Sequence, residues 1–132
     1  MTVAEFVVMR SETSTSIIEK TNDGVVVVRK KPGSYVDLEA AREDFEVHRQ
    51  MSGEAKSPVM LVMNEMMNAS SEAREFFSLP IHEEYRNAEA YVVTNLAIRL
   101  LVSFYMRTVK KAYPIRIFPA ESEAMQWLRQ FT

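Results

Sequence analysis

The sequence predicts one α/β domain with a mixed, mostly parallel sheet, an antiparallel hairpin at its N-terminal end and about four helices. Three observations carry this. β-Branched runs at residues 16–20 and 25–30 flank Thr21-Asn22-Asp23-Gly24, and Asn-Asp-Gly supplies the φ > 0 positions of a tight turn. Beyond the hairpin, short apolar runs alternate with segments of three- and four-residue apolar spacing, the pattern of strands joined by helical crossovers. At 132 residues the chain matches the commonest domain size and is too short for two independent cores, so residues 1–132 read as a single domain.

Each element has its own reason. Phe6-Val7-Val8-Met9 reads as a strand at a sheet edge or as a terminal arm. Val25-Val26-Val27-Val28 is continuously apolar, which predicts a strand covered on both faces. After Pro32-Gly33-Ser34 breaks the run, Asp37 stands where a helix N-cap belongs. Leu38, Ala41, Phe45, His48 and Met51 then form one apolar helix face, closed by Gly53, with Glu39, Arg42, Glu43, Glu46 and Arg49 on the solvated side.

Residues 58–63 form a second buried-strand run, and a short helix with hydroxyls at its start follows over residues 70–77. Tyr91-Val92-Val93-Thr94 is a third strand. Asn95 caps a long helix from Leu96 to about Lys111, on which Arg99, Ser103, Arg107 and Lys110 make a narrow polar stripe. Residues 114–118 give a last strand, and residues 121–131 a closing helix whose Ala124, Leu128 and Phe131, with Met125 and Trp127, face the core.

Composition narrows the function. Sixteen Lys and Arg against eighteen Asp and Glu give a net charge of −2, too balanced for the positive field of a nonspecific nucleic-acid binder. The absence of cysteine removes disulfides, thiolate zinc sites and a Cys nucleophile, and fits a cytoplasmic protein. The N-terminal segment lacks the basic region and long apolar core of a signal peptide. The longest apolar stretch, residues 96–109, is interrupted by Arg99 and Arg107 and falls short of the ~20 residues of a membrane span.

Several segments in combination carry a family resemblance: Asp23-Gly24 before the valine strand, Ala73-Arg74-Glu75-Phe76-Phe77, and Tyr113-Pro114-Ile115-Arg116-Ile117-Phe118 followed by Glu123-Ala124-Met125-Gln126-Trp127-Leu128. From about Asn22 onward the chain resembles the STAS-type, SpoIIAA-like domains, and within them a bacterial branch of unknown function that is also grouped with CRAL-TRIO-type lipid carriers. The resemblance implies a sheet with helices to one side, no enzyme activity and no cofactor, and a role in protein–protein switching or small-ligand binding. In the anti-sigma-factor antagonists of this fold a phosphorylatable Ser follows a central strand, and the matching stretch here is Asn68-Ala69-Ser70-Ser71. The family wording Asp-Ser-Ser-Gly-Leu is absent, since Asn68-Ala69 precede the serines and Glu72 follows them.

Ser70 and Ser71 therefore have two readings, a phosphate switch at a helix N-terminus and a plain N-cap. His48 and His82 are the only histidines and lie in no ligand-spaced cluster, so no metal site is expected. His48 falls on an apolar helix face and reads as a partly buried, hydrogen-bonded histidine in preference to a catalytic base. Met60 reads as core. Asn64, Met66 and Met67, at the carboxyl end of a strand, and Tyr85 are the pocket candidates, because open α/β sheets place binding crevices there. Arg29-Lys30-Lys31 reads as a solvated strand end.

The apolar residues of the long helix spread around more of its circumference than one sheet covers. Leu101, Phe104 and Tyr105 are thus candidates for a homodimer interface, with cover by flanking helices as the alternative. No Ser-His-Asp set, P-loop or dinucleotide fingerprint can be assembled, and three glycines are too few for a phosphate-cradling loop. The expectation is a non-enzymatic interaction or regulatory module with an unidentified protein partner; the alternative is a carrier of a small apolar or amphipathic ligand.

Overall fold

In the computed structural model, which describes residues 6–63, 68–108 and 110–132, the expected hairpin is formed by β2 (Ser16–Thr21) and β3 (Val26–Lys30), paired antiparallel from Ser16↔Lys30 to Lys20↔Val26. Gly24 in its turn has φ 93°, a conformation that costs a residue with a Cβ. β1 (Val7–Glu12) adds antiparallel outside β2, so the N-terminal apolar run is an edge strand. The chain continues through β4 (Tyr35–Val36), α1 (Leu38–Ser52), β5 (Ser57–Met63), β6 (Asn68–Ala69), α2 (Ser71–Phe77) and a 3-10 turn over Pro80–Glu84. It ends with β7 (Arg86–Val93), α3 (Leu96–Thr108), β8 (Ile115–Phe118), α4 (Glu121–Leu128) and a second 3-10 turn, Arg129–Phe131.

The main sheet among the described residues has the order β1-β2-β3-β5-β7-β8, antiparallel through β3 and parallel from β3 to β8. β3 lies between β2 and β5, and Val25 to Val28 are all buried, as the continuous valine run predicts. β4 and β6 form a separate parallel pair that the sequence patterning did not predict, because two-residue strands carry no period.

Alternation along the strands sends side chains to two different cores. Val25, Val27, Met60, Ala90, Val92 and Phe118 meet Ala124, Met125 and Leu128 of α4. On the opposite face Ile18, Val26, Val28 and Val59 pack with Met51 of α1, and Tyr91 and Val93 pack with Val102 of α3. α2 lies against α1 through Ala73. The implied arrangement of helices to one side thus holds for α1, α2 and α3 and is corrected for α4, whose apolar stripe covers the other face.

The caps follow local chemistry. The Asp37 carboxylate accepts from Ala40 N at 2.8 Å, Ser70 Oγ from Ala73 N at 3.1 Å, and Asn95 Oδ1 from Ile98 N at 3.1 Å. Each satisfies an N–H that the first helical turn leaves open. No described helix is long and apolar enough to cross a membrane.

Candidate functional site

Three helices on one face of a twisted sheet do not close completely, and between α1, α2, α3 and the sheet lies a cavity of about 350 Å³. Its walls are Val28, Leu61 and Tyr91 from the strands, Ala41 and Phe45 from α1, Phe77 from α2, and Val102 and Tyr105 from α3. Apolar and aromatic groups dominate, with a few convergent charges, the usual make-up of a small-molecule site.

Two ion pairs stand in the wall, which also carries His82, Arg74 and Lys111. Lys30 and Asp44 are both buried, with Nζ 2.6 Å from the carboxylate, which also accepts from Thr13 Oγ1 at 2.5 Å and Ser16 Oγ at 2.6 Å. Lys30 is therefore not a solvated strand end. Along β3 it alternates in phase with Val26 and Val28 toward α1, and Asp44 shares a helix face with Ala41, His48 and Met51. The spacing of both residues encodes this, but their charge argues against it.

The second pair is Arg86 and Glu89, joined at 2.6 Å between Nη1 and Oε1. Residues three apart on a regular strand point to opposite faces. A bulge resolves the conflict: Ser57 pairs with Arg86 but Pro58 pairs with Ala88, so Asn87 is an extra residue and resets the alternation. Asn87 Nδ2 instead reaches the Phe131 carbonyl at 2.9 Å. Tyr113 and Tyr91 donate their hydroxyls to Glu89 at 2.7 and 3.2 Å. Burial opposes the Glu89 charge, yet Arg86 and the Tyr113 hydroxyl hold its carboxyl below the usual range. Burial likewise raises the Tyr91 and Tyr113 phenols, reinforced by the adjacent carboxylate, so both remain donors.

Both histidines are neutral polar groups. His82 Nε2 lies 2.9 Å from the Phe76 carbonyl, and since a carbonyl only accepts, this nitrogen carries the proton. Burial first, and then the Arg86 charge, push His82 down to about 4. Its ring lines the cavity, and Nδ1 is buried without a hydrogen-bond partner. His48 is buried and accepts from Arg86 Nε at 3.3 Å, with its value held well below normal by burial and then by Arg86. The partly buried, hydrogen-bonded histidine expected from the sequence is thus almost completely buried.

The other candidates separate in space. Asn64, Met66 and Met67 lie outside the described residues. Tyr85 stacks edge-on to Phe45 at 5.6 Å; from the same segment it is His82 that lines the cavity wall. Ser70 spends its hydroxyl on the α2 cap, while Ser71 is exposed and donates to Glu72 at 3.2 Å. Leu101 and Phe104 are 70% and 67% exposed; Leu101 lines the cavity together with the less exposed Tyr105. Among the described residues, no three His, Asp or Glu side chains gather as metal ligands.

A family model described as a domain of unknown function, DUF7793, matches residues 19–132. The chain belongs to that family. The structure of the DUF7793 chain is similar to the crystal structure of an uncharacterised protein of the DUF3478 family with a SpoIIAA-like fold, from Shewanella loihica PV-4. The two align with a TM-score of 0.59 over 97% of this chain and 98% of the other, at 9% identity. The DUF7793 chain thus has a SpoIIAA-like fold, as the strand and helix wording implies. No curated protein matches it.

Proposed function

We propose that this domain is a non-enzymatic binding module that holds one small amphipathic molecule between its sheet and α1, α2 and α3. The observation that supports this reading is the cavity itself: about 350 Å³ of apolar and aromatic wall with Lys30–Asp44 and Arg86–Glu89 set into it. At ~30 Å³ per water-sized unit of liquid volume, the space suits a ligand of about a dozen non-hydrogen atoms. The buried ionisable groups are engaged in pairs and hydrogen bonds that orient them, an arrangement suited to holding a ligand. Native mass spectrometry of freshly purified protein is the test. A retained adduct of small-molecule mass, lost on Ala41→Phe substitution in the cavity wall, is the expected result. A clean apo mass across several preparations would remove the reading.

A second reading, association of two copies through α3, is supported by the exposure of Leu96, Leu100 and Phe104, with Leu101 exposed at the cavity rim. Light scattering at high micromolar concentration decides it, with a strict monomer as the contrary outcome.

A further inference from the structure

Resting on the cavity as a binding site, we infer that its ligand is an amphipathic carboxylate whose head group seats at Lys111. Among the described residues, the charged side chains of the wall are four cations, Lys30, Arg74, Arg86 and Lys111, against two carboxylates, Asp44 and Glu89. Both carboxylates are already engaged, at 2.6 Å by Lys30 and at 2.6 Å by Arg86, and Glu89 is further occupied by two tyrosine hydroxyls. His82 is neutral and adds no charge. The wall therefore carries more positive than negative charge, and the excess lies at Arg74 and Lys111.

Lys111 is the better seat of the two. Its Nζ donates to the Phe77 carbonyl at 2.7 Å, a neutral acceptor that orients the ammonium without balancing its charge. Arg74 is exposed and donates to the Ala69 carbonyl at 3.3 Å, so water solvates it. Glu83, a carboxylate outside the wall that acts on Lys111, accepts from Ala112 N at 2.9 Å. Burial lowers the Lys111 ammonium despite the attraction of Glu89 and Glu83, as happens to a partly desolvated cation short of counter-charge.

The hollow of about 360 Å³ beside α4 provides an internal control. Its cations are matched, Arg29 by Glu121 at 2.7 Å and Arg129 by Asp23 at 3.0 Å, and among the described residues its wall carries as many carboxylates as cations. A lone ammonium with one ordered acceptor suits a monoanion. A phosphate dianion requires more donors than this wall offers, and a carboxylate with an apolar body of about ten carbons fits the volume.

Calorimetric or ligand-observed NMR titration with octanoate, octanol and octylamine, which share one chain length, tests the inference. Octanoate is expected to bind about tenfold or more tightly than octanol, and octylamine most weakly, the ratio that one charge-assisted hydrogen bond supplies. Lys111→Met should abolish the preference while leaving octanol binding unchanged, and Lys111→Arg should restore most of it. Equal binding of octanoate and octanol, or a preference that survives Lys111→Met, would overturn the carboxylate seat and leave the cavity as a binding site. Failure of all three ligands to bind at millimolar concentration would overturn both.

Discussion

The two faces of the central sheet are built from the same strands and are chemically unlike. Toward α4, Val25, Val27, Ala90 and Val92 meet Ala124 and Leu128 in a wholly apolar contact. Toward α1 and α3 the neighbouring residues of the same strands include Lys30, Arg86, Glu89 and Tyr91; Lys30 and Glu89 are buried there, whereas the ion pair Arg29–Glu121 in the hollow beside α4 is part-exposed. The difference shows how one sheet divides labour: the α4 face stabilises the fold by close packing, and the other face holds polar groups that close packing would exclude. It also sets how each face should fail when altered.

Removing the buried carboxylate of the polar face should have the largest effect. Asp44→Ala leaves Lys30 buried without that partner and Thr13 and Ser16 without their acceptor, so urea denaturation should show a loss of about 4 kcal/mol. On the closed face, Leu128→Ala should cost about 3 kcal/mol by cavity formation and leave any ligand affinity unchanged. If the two losses are reversed in order, the polar face is the more plastic one.

Acidification distinguishes the faces further. The folded value of His82, about 4, lies below its ordinary 6.5, so the unfolded chain takes up the proton first as pH falls. Stability should be level above pH 6.5 and fall between 6.5 and 4, with about 2 kcal/mol lost at pH 5 through His82. His48 is shifted in the same direction and steepens the decline. His82→Gln should flatten the pH dependence, whereas Leu128→Ala should lower the whole curve without changing its shape. The smallest effect is expected at the rim, where Ser70→Ala should cost about 1 kcal/mol by thermal melting through loss of the α2 cap.

Most of the fold was legible because its signals are local. The Asn22-Asp23-Gly24 turn, the four valines and the Asp37, Ser70 and Asn95 caps each act within a few residues of themselves, and each stands where the sequence patterning put it. The site was less legible, for two physical reasons. Lys30 and Asp44 sit in phase with the buried faces of β3 and α1, but charge outweighed phase in reading them. Arg86 and Glu89 are out of phase in any regular strand, and only the bulge at Asn87 unites them. The cavity depends on how α1, α2 and α3 space themselves over the sheet, a property of tertiary packing that no window of residues contains.

That bulge gives β7 a constraint of spelling and not of chemistry. Asn87 could change identity at the cost of its bond to Phe131, and a chain without it would pair regularly, with Arg86 and Glu89 two apart and still on one face. The three-residue spacing instead forbids regular pairing: an unbulged strand of the present length would put Arg86 on the α4 face with Ala88, Ala90 and Val92, while Glu89 stayed behind with its two tyrosines. Among relatives of this domain that keep the pair, loops such as the one before β8 can lengthen or shorten, whereas the count from arginine to glutamate should be three with a bulge or two without one.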